Sequence, residues 1–204
     1  MIKIAYDRAQ KAGKHEIKHD WLRNHGCELI DLPLPVGDYI AVTKEVEDTI
    51  KRRGKRLKKM DLLAVTYITI DTKQNLLEVC NNLAGKSHRR FRDEAILAQQ
   101  HGIRFIVLVE EGAKVKSLDD VKSWVNPRRS QYCKNHGIPI TDDVEKNITE
   151  YVQHGGDKPP TSGAQLSKMM RTMSDRYGII WEFCDKRHTG KRIVELLDGD
   201  VNAS

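Results

Sequence analysis

Apolar residues occur in short runs typical of strands, separated by stretches with the spacing of helices. Residues 64–70 give the clearest strand pattern, because β-branched and aromatic side chains dominate them. Residues 103–109 are apolar almost without interruption, which is typical of a strand buried on both faces. Between them, residues 74–83 and 88–101 have helical periodicity. The order strand, helix, helix, strand predicts an α/β domain.

Weaker patterns extend this prediction on both sides. The remaining strand-like segments are 1–6, 27–32, 36–42 and 178–184. Amphipathic segments predict further helices at 15–25, 163–176 and 188–197. Since several strands precede the strand–helix–helix–strand unit, we expect a mixed sheet flanked by helices.

Residues 112–160 are less regular and contain repeated glycines and prolines. We predict an insertion there, with one or two helices near Leu118–Trp124 and Asp142–Gln153. The length of 204 residues suits one globular domain. The predicted organisation is therefore a single domain over 1–204 with an insertion at 112–160.

Charge is most concentrated between residues 51 and 59, where the apolar pattern is lost. We predict an exposed hairpin tip or loop, which lies between two strands that carry candidate catalytic residues. Its cations would contact a phosphate backbone, or would form only a solvated surface. They are Lys51, Arg52, Arg53, Lys55, Arg56, Lys58 and Lys59.

The overall composition is compatible with a polyanionic partner. The net charge is +6 and the pI is about 9.1, which suits nucleic acid binding without requiring it. The four cysteines lie about fifty residues apart, which argues against a zinc ribbon and a disulfide framework. With no signal peptide and no apolar run of membrane length, we expect a soluble cytoplasmic protein.

The candidate chemistry lies at the end of the clearest strand. Asp71 and Lys73 are two residues apart, so a strand would project both to the same face. Asp38, in or beside a neighbouring strand, would add a second carboxylate. Two carboxylates can hold Mg²⁺, and a lysine can orient water or neutralise charge on a phosphate. The alternative is a surface ion pair at a strand end.

Several motifs together resemble a known family. Residues 34–40 read Leu-Pro-Val-Gly-Asp-Tyr-Ile, a strand then ends in acid-x-Lys, and a later helix contains Arg90-Phe91-x-x-Glu94. This order resembles the nuclease domain of XPF-type structure-specific endonucleases, in the restriction-endonuclease-like PD-(D/E)xK superfamily. The resemblance covers about 1–111 and 161–198.

The resemblance implies a fold and a set of site residues. The fold would be α/β, with a restriction-endonuclease-like central mixed sheet flanked by helices. Asp38 and Asp71 would be ligands of Mg²⁺ or Mn²⁺, Lys73 the catalytic lysine, and Asp7 an accessory acid near the metal. Arg90 and Glu94 would face the site. The neighbouring Arg89 and Arg92 would be phosphate clamps or a solvated helix face.

The chain also departs from the family pattern. Asp71-Thr72-Lys73 stands where the family has Glu-Arg-Lys, and we expect Arg89, Arg90 or the 51–59 segment to replace the missing charge. Leu77 stands where an acid is common, and Glu78 is expected to point elsewhere. Ala9 or Gln10 occupies the place of a glutamate in the first motif.

The leading hypothesis is a metal-dependent endonuclease acting on branched or flap-like DNA. The alternatives are a Holliday-junction resolvase, a restriction-type nuclease, or a nuclease-like DNA-binding module that does not cleave. The predicted helix at 163–176 and the last helix could form a homodimer surface, or their apolar residues could be core.

Overall fold

The structure, a computed structural model, describes residues 2–10, 13, 15–112 and 114–201, without the side chains of 199–201. A six-stranded mixed sheet forms its centre, in the order β2-β1-β3-β4-β5-β6. β3 is antiparallel to β1 and β4, whereas the other neighbouring pairs are parallel. The strands are β1 (Lys3–Asp7), β2 (Glu28–Leu32), β3 (Tyr39–Ala41), β4 (Ile68–Lys73), β5 (Arg104–Val109) and β6 (Ile180–Phe183).

Helices surround this sheet, which confirms the predicted α/β class. They are α1 (Glu16–Asn24), α2 (Lys44–Arg53), α3 (Leu76–Ala84), α4 (His88–Gln100), α5 (Pro127–His136), α6 (Val144–Gln153), α7 (Gly163–Tyr177) and α8 (Thr189–Val201). Short 3₁₀ segments occur at Gly54–Arg56, Lys59–Val65, Asp120–Ser123 and Lys186–His188.

Each face of the sheet has its own core. Alternate residues of β5 pack on opposite sides: Phe105 and Val107 join the core with α3, α4 and α7, whereas Ile106 and Leu108 join the core with α1 and α8. The apolar residues of α7 and α8 that could have formed a dimer surface, such as Met170 and Ile193, are buried in these cores. A homodimer therefore stays a prediction without support from these residues.

The basic 51–59 segment is not a hairpin tip or loop. α2 extends through Arg53, and 3₁₀ turns follow. Thr43 caps the helix by accepting a hydrogen bond from Val46 N, and acidic residues in its first turn and basic residues in its last suit the helix dipole. The helix was not predicted because most of its side chains are polar or charged, and only Val46 and Thr49 are buried.

The clearest strand was predicted too early in the chain. Residues 64 and 65 belong to a 3₁₀ segment, because Leu62 and Leu63 before them turn into the core. The strand runs instead from Ile68 to Lys73, so the candidate tripeptide forms its last three residues.

The described part of the segment 112–160 contains the helices α5 and α6, and only α6 lies where a helix was predicted. The segment 118–124 contains only the 3₁₀ turn Asp120–Ser123, whereas α6 matches the predicted second helix. α5 was missed because few of its side chains are apolar; Asn126 caps it and Pro127 occupies its first turn. That 112–160 is an insertion into a single domain stays a prediction.

Two further observations concern the chain as a whole. No helix in the described ranges has the length and apolar character needed to cross a membrane. Cys27, Cys80, Cys133 and Cys184 are free thiols.

Gly37 is a position where the fold requires glycine. Its φ is +70°, and a Cβ there would lie 2.3 Å from Thr69 Oγ1. We expect Gly37→Ala to destabilise the protein by about 2 kcal/mol more than Gly26→Ala, because the added methyl overpacks the junction with β4. Gly26 is the matched control, since its φ is +80° but a Cβ would meet nothing within 4 Å. Urea unfolding of both variants measures the difference, and equal destabilisation would contradict a steric requirement.

Candidate active site

The turn before β3 is fastened to the neighbouring elements by hydrogen bonds. Asp38 N donates to Ile70 O at 2.8 Å, and Thr69 Oγ1 donates to Val36 O at 2.7 Å. Gly37 N donates to Glu94 Oε1 of α4 at 2.9 Å. The position of Asp38 is therefore set by both β4 and α4.

The Asp38 carboxylate binds the backbone and the side chain of one residue. Its Oδ2 accepts from Thr72 N at 2.8 Å and from Thr72 Oγ1 at 2.6 Å. β3 pairs with β4 only through Tyr39 and Ile70, so Thr72 has no partner residue in β3. The Asp38 carboxylate accepts the hydrogen bond from Thr72 N instead. Both contacts converge on Oδ2, and they leave Oδ1 for another ligand.

Asp71 and Lys73 form an ion pair on the face of β4 that packs against α3 and α4. Their side chains are each 10% exposed. The Lys73 ammonium lies 5.5 Å from the centroid of the Phe91 ring, which belongs to that core. The strand thus projects both groups to one face, as their spacing predicted.

The charges around this pair are unbalanced. Burial raises the pKa of the Asp71 carboxyl, Lys73 opposes this, and the charges of Asp38 and Glu94 raise the pKa further. Burial lowers the pKa of Lys73, but the charges of Asp71 and Asp38 outweigh it and the net pKa is raised. The charges of Asp71, Asp38 and Glu78 act on the Lys73 ammonium, so carboxyl groups outnumber cations here, which is an environment that favours an additional cation.

Asp38 and Asp71 fit a divalent ion of the magnesium type. Asp71 Oδ2 is buried without a hydrogen-bond partner of acceptable geometry, although the Lys73 ammonium lies against it. Within the described part of the chain, no three or more His, Cys, Asp or Glu residues are grouped as a metal site. Two carboxylates suffice for Mg²⁺, because it keeps several waters and takes phosphate oxygens as ligands.

Asp7 lies beside Asp38 at the end of β1. Its Oδ1 accepts from Leu34 N at 3.2 Å, and its backbone N donates to Asp38 O at 2.9 Å. Burial raises the pKa of the Asp7 carboxyl, and the charge of Asp38 adds to this. Asp7 is therefore close to the candidate centre but partly engaged by the backbone.

The expected residues of α4 differ in their placement. Glu94 contacts the turn that carries Asp38, whereas Arg90 is exposed on the helix surface. Arg89 and Arg92 both pair with Asp93, at 3.8 and 3.0 Å. Helix α4 thus presents cations on its surface and a carboxylate toward the site.

The basic segment reaches the edge of the site. All seven of its cations are exposed, and the charge of Lys59 acts on Asp7 by lowering its pKa. Arg53 is held by Asp61 at 2.7 Å.

The cation at Thr72 is Lys18 of α1, and not one of the arginines or the basic segment. Lys18 Nζ lies 3.3 Å from Thr72 Oγ1 and forms an ion pair with Glu110, which follows β5. One feature of the sequence could have indicated that Lys18 points inward. It precedes the buried Leu22 by four positions, so both lie on the same face of α1.

Two other polar residues near the centre were not expected to take part. Gln10 Nε2 donates to Asp38 O at 3.1 Å. Glu78 turns back toward the end of β4, where its Oε2 accepts from Gln74 N at 2.8 Å, and its charge helps to raise the pKa of Lys73. The expectation that Glu78 points elsewhere was wrong.

Comparisons with known proteins give a relationship in fold. No protein-family model and no curated protein matches the chain. XPF from Aeropyrum pernix, in complex with DNA, is similar over 100% of this chain and 66% of its own, with a TM-score of 0.51 and 14% identity. Another structure of XPF from Aeropyrum pernix covers 97% and 61%, at a TM-score of 0.47 and 16% identity.

The fold is therefore that of an XPF-type nuclease domain, as the motifs predicted. The chain spans 61% and 66% of the length of the two XPF chains.

Because carboxyl groups outnumber cations at the site, we expect the loss of Lys73 to destabilise the metal-free protein more than the loss of the Asp71 charge. Lys73→Met should lower the free energy of unfolding by about 3 kcal/mol, because it leaves buried Asp71 beside other carboxylates. Asp71→Asn should lower it by less than Lys73→Met does, since the charge of Asp38 still acts on Lys73. Urea unfolding at pH 7 in EDTA measures both, and a larger decrease for Asp71→Asn would refute the charge arrangement.

Proposed function

We propose that this protein is a metal-dependent endonuclease that hydrolyses phosphodiester bonds in DNA. The observation that carries the proposal is the buried Asp71–Lys73 pair with Asp38 beside it, where carboxylates outnumber the ammonium. The XPF-type fold supports it, and the similar XPF structure is described as a complex with DNA.

In this proposal Asp38 and Asp71 hold Mg²⁺ or Mn²⁺, and Asp7 is an accessory acid at the edge of the site. The bound ion would polarise the phosphate and lower the pKa of the attacking water. Asp38 would use Oδ1, because Thr72 occupies Oδ2. Asp71 would contribute its buried carboxylate, whose Oδ2 lies against the Lys73 ammonium.

Lys73 is the proposed catalytic lysine. Its ammonium is fixed between Asp71 and the ring of Phe91, so little rearrangement is needed for it to orient water or offset charge on the phosphate. Glu94 acts on the turn, since it binds Gly37 N and so helps to place Asp38. We assign Arg90 to the phosphate-binding surface of α4.

DNA would lie across the exposed cations on either side of the site. One group is the segment from Lys51 to Lys59, which approaches Asp7 through Lys59. The other is the start of α4, with Arg89, Arg90 and Arg92. Contacts of this kind go to phosphates and carry no base preference, which suits recognition of DNA shape such as a branch or flap.

A second candidate is a DNA-binding module that does not cleave. The observation that favours it is the burial of the Asp71–Lys73 ion pair, whose side chains are each 10% exposed. A Holliday-junction resolvase would use the same chemistry as the first candidate and would differ in substrate shape.

A cleavage assay separates these candidates. Labelled flap, fork, four-way junction and linear DNA are incubated with Mg²⁺, Mn²⁺ or EDTA. We expect metal-dependent cutting of branched DNA, and a decrease of about 100-fold or more in Asp71→Asn and Lys73→Ala with DNA binding retained. Asp175→Asn on the exposed face of α7 is the matched control. Binding without cutting under any metal would favour the non-cleaving module. Preferential cutting of the four-way junction would favour a resolvase.

Salt dependence tests the basic segment. Replacing three of its cations by glutamine should reduce the slope of log K against log salt by about 0.9 for each phosphate of duplex DNA that the segment no longer neutralises. The same number of exposed lysines elsewhere is replaced as the control. The test set is Lys55, Arg56 and Lys58, and the control set is Lys114, Lys116 and Lys134. Equal slopes for the two sets would rule out a specific role of the segment.

A further inference from the structure

Thr72 links the two faces of the sheet at the candidate centre. It lies between Asp71 and Lys73 in β4, so its side chain points to the opposite face, toward α1 and α8. There it contacts Lys18 of α1 while its hydroxyl remains bonded to Asp38 Oδ2. One residue thus joins the candidate ligand Asp38 to a cation behind the strand.

Lys18 is placed where a cation is costly. Its side chain is 6% exposed and that of its partner Glu110 is 1% exposed. A buried ion pair gains little stability over apolar side chains of similar size, because both charges lose their hydration. Stability alone is therefore a weak reason for this pair, and its contact with Thr72 offers another.

The chemistry of the three groups fixes the direction of their hydrogen bonds. An ammonium group has donors and no acceptor, so Thr72 Oγ1 must accept from Lys18 Nζ, at 3.3 Å. A hydroxyl has one proton, which is then left for Asp38 Oδ2 at 2.6 Å. The contact with Lys18 therefore favours the arrangement in which the Thr72 hydroxyl donates to Asp38 Oδ2.

We propose that Lys18, acting through Thr72, is a positioning residue that holds Asp38 in the orientation needed to bind a divalent ion. Thr72 N–H and O–H both engage Oδ2, so the carboxylate presents Oδ1 to the ion. Partners that orient a metal ligand in this way commonly affect metal affinity when they are removed. The proposal rests on the proposed function, in which Asp38 is a metal ligand.

The test measures Mn²⁺ binding to the full chain without DNA, from the electron paramagnetic resonance signal of free Mn²⁺. Thr72→Val should weaken binding by about 10-fold, and Thr72→Ser, which keeps the hydroxyl, should stay within about twofold of the parent. Lys18→Met is combined with Glu110→Gln, so that no buried charge is left without its partner, and should also weaken binding by about 10-fold. Circular dichroism melting verifies that each variant is folded.

Two controls separate positioning from a structural role. Glu110→Gln alone removes the negative charge, but the amide oxygen can still accept from Lys18 and keep it beside Thr72, so this variant should bind Mn²⁺ within about twofold of the parent. Adding Thr72→Val to the Lys18→Met and Glu110→Gln pair should weaken binding no further, because both changes remove the same connection. If Lys18→Met does not fold, Lys18→Gln replaces it: a side-chain donor remains, and binding closer to the parent than in Thr72→Val is expected.

Parent affinity in the Lys18 variant, additive effects of the two changes, or equally weak binding in Glu110→Gln would overturn the inference. A parent protein that binds no Mn²⁺ would instead overturn the proposed function. Hydrogen exchange of the Thr72 amide then tests separately whether Lys18 acts on Asp38 through Thr72, because Thr72 N donates to Asp38 Oδ2. Its hydrogen exchange should accelerate in the Lys18 variant while that of Val107 in β5 does not. Unchanged exchange at Thr72 would refute the connection itself.

Discussion

The arrangement of the site depends on the last three residues of β4, which carry charged or polar groups into a buried sheet. Alternation along the strand sends Asp71 and Lys73 to one face and Thr72 to the other. Buried polar groups need partners, and these come from different elements: Asp38 from the turn before β3 and Lys18 from α1 bind Thr72, and the charge of Glu78 from α3 acts on Lys73. Satisfying this strand end therefore brings together residues that are distant in sequence.

The elements with strong apolar periodicity could be predicted from the sequence, including α3, α4, α7 and β5. Prediction failed where tertiary contacts outweighed local pattern. α2 is so highly charged that its short buried stripe was hidden, and residues 64 and 65, which the strand prediction included, belong to the 3₁₀ helix Lys59–Val65. α5 depends on its caps and on a small cluster with α6, which periodicity alone cannot detect.

The site residues, too, could be predicted where local pattern places them and not where tertiary packing does. The spacing of Asp71 and Lys73 and the Gly37-Asp38 turn predicted which groups would meet, because strand alternation and a tight turn are local properties. Lys18, Gln10 and Glu78 were missed, since their roles depend on the packing of α1, on a loop, and on the first turn of α3. Thr72 stands where the family has arginine, and a lysine from another element, Lys18, supplies a cation beside it.

The central claim is that Asp38 and Asp71 together hold a divalent ion. Crystals soaked in Mn²⁺ test it most directly, by anomalous diffraction recorded at the manganese absorption edge. If these residues hold the ion, one anomalous peak should lie between the carboxylates of Asp38 and Asp71. Crystals with Mn²⁺ at other carboxylates and none between these two would contradict it.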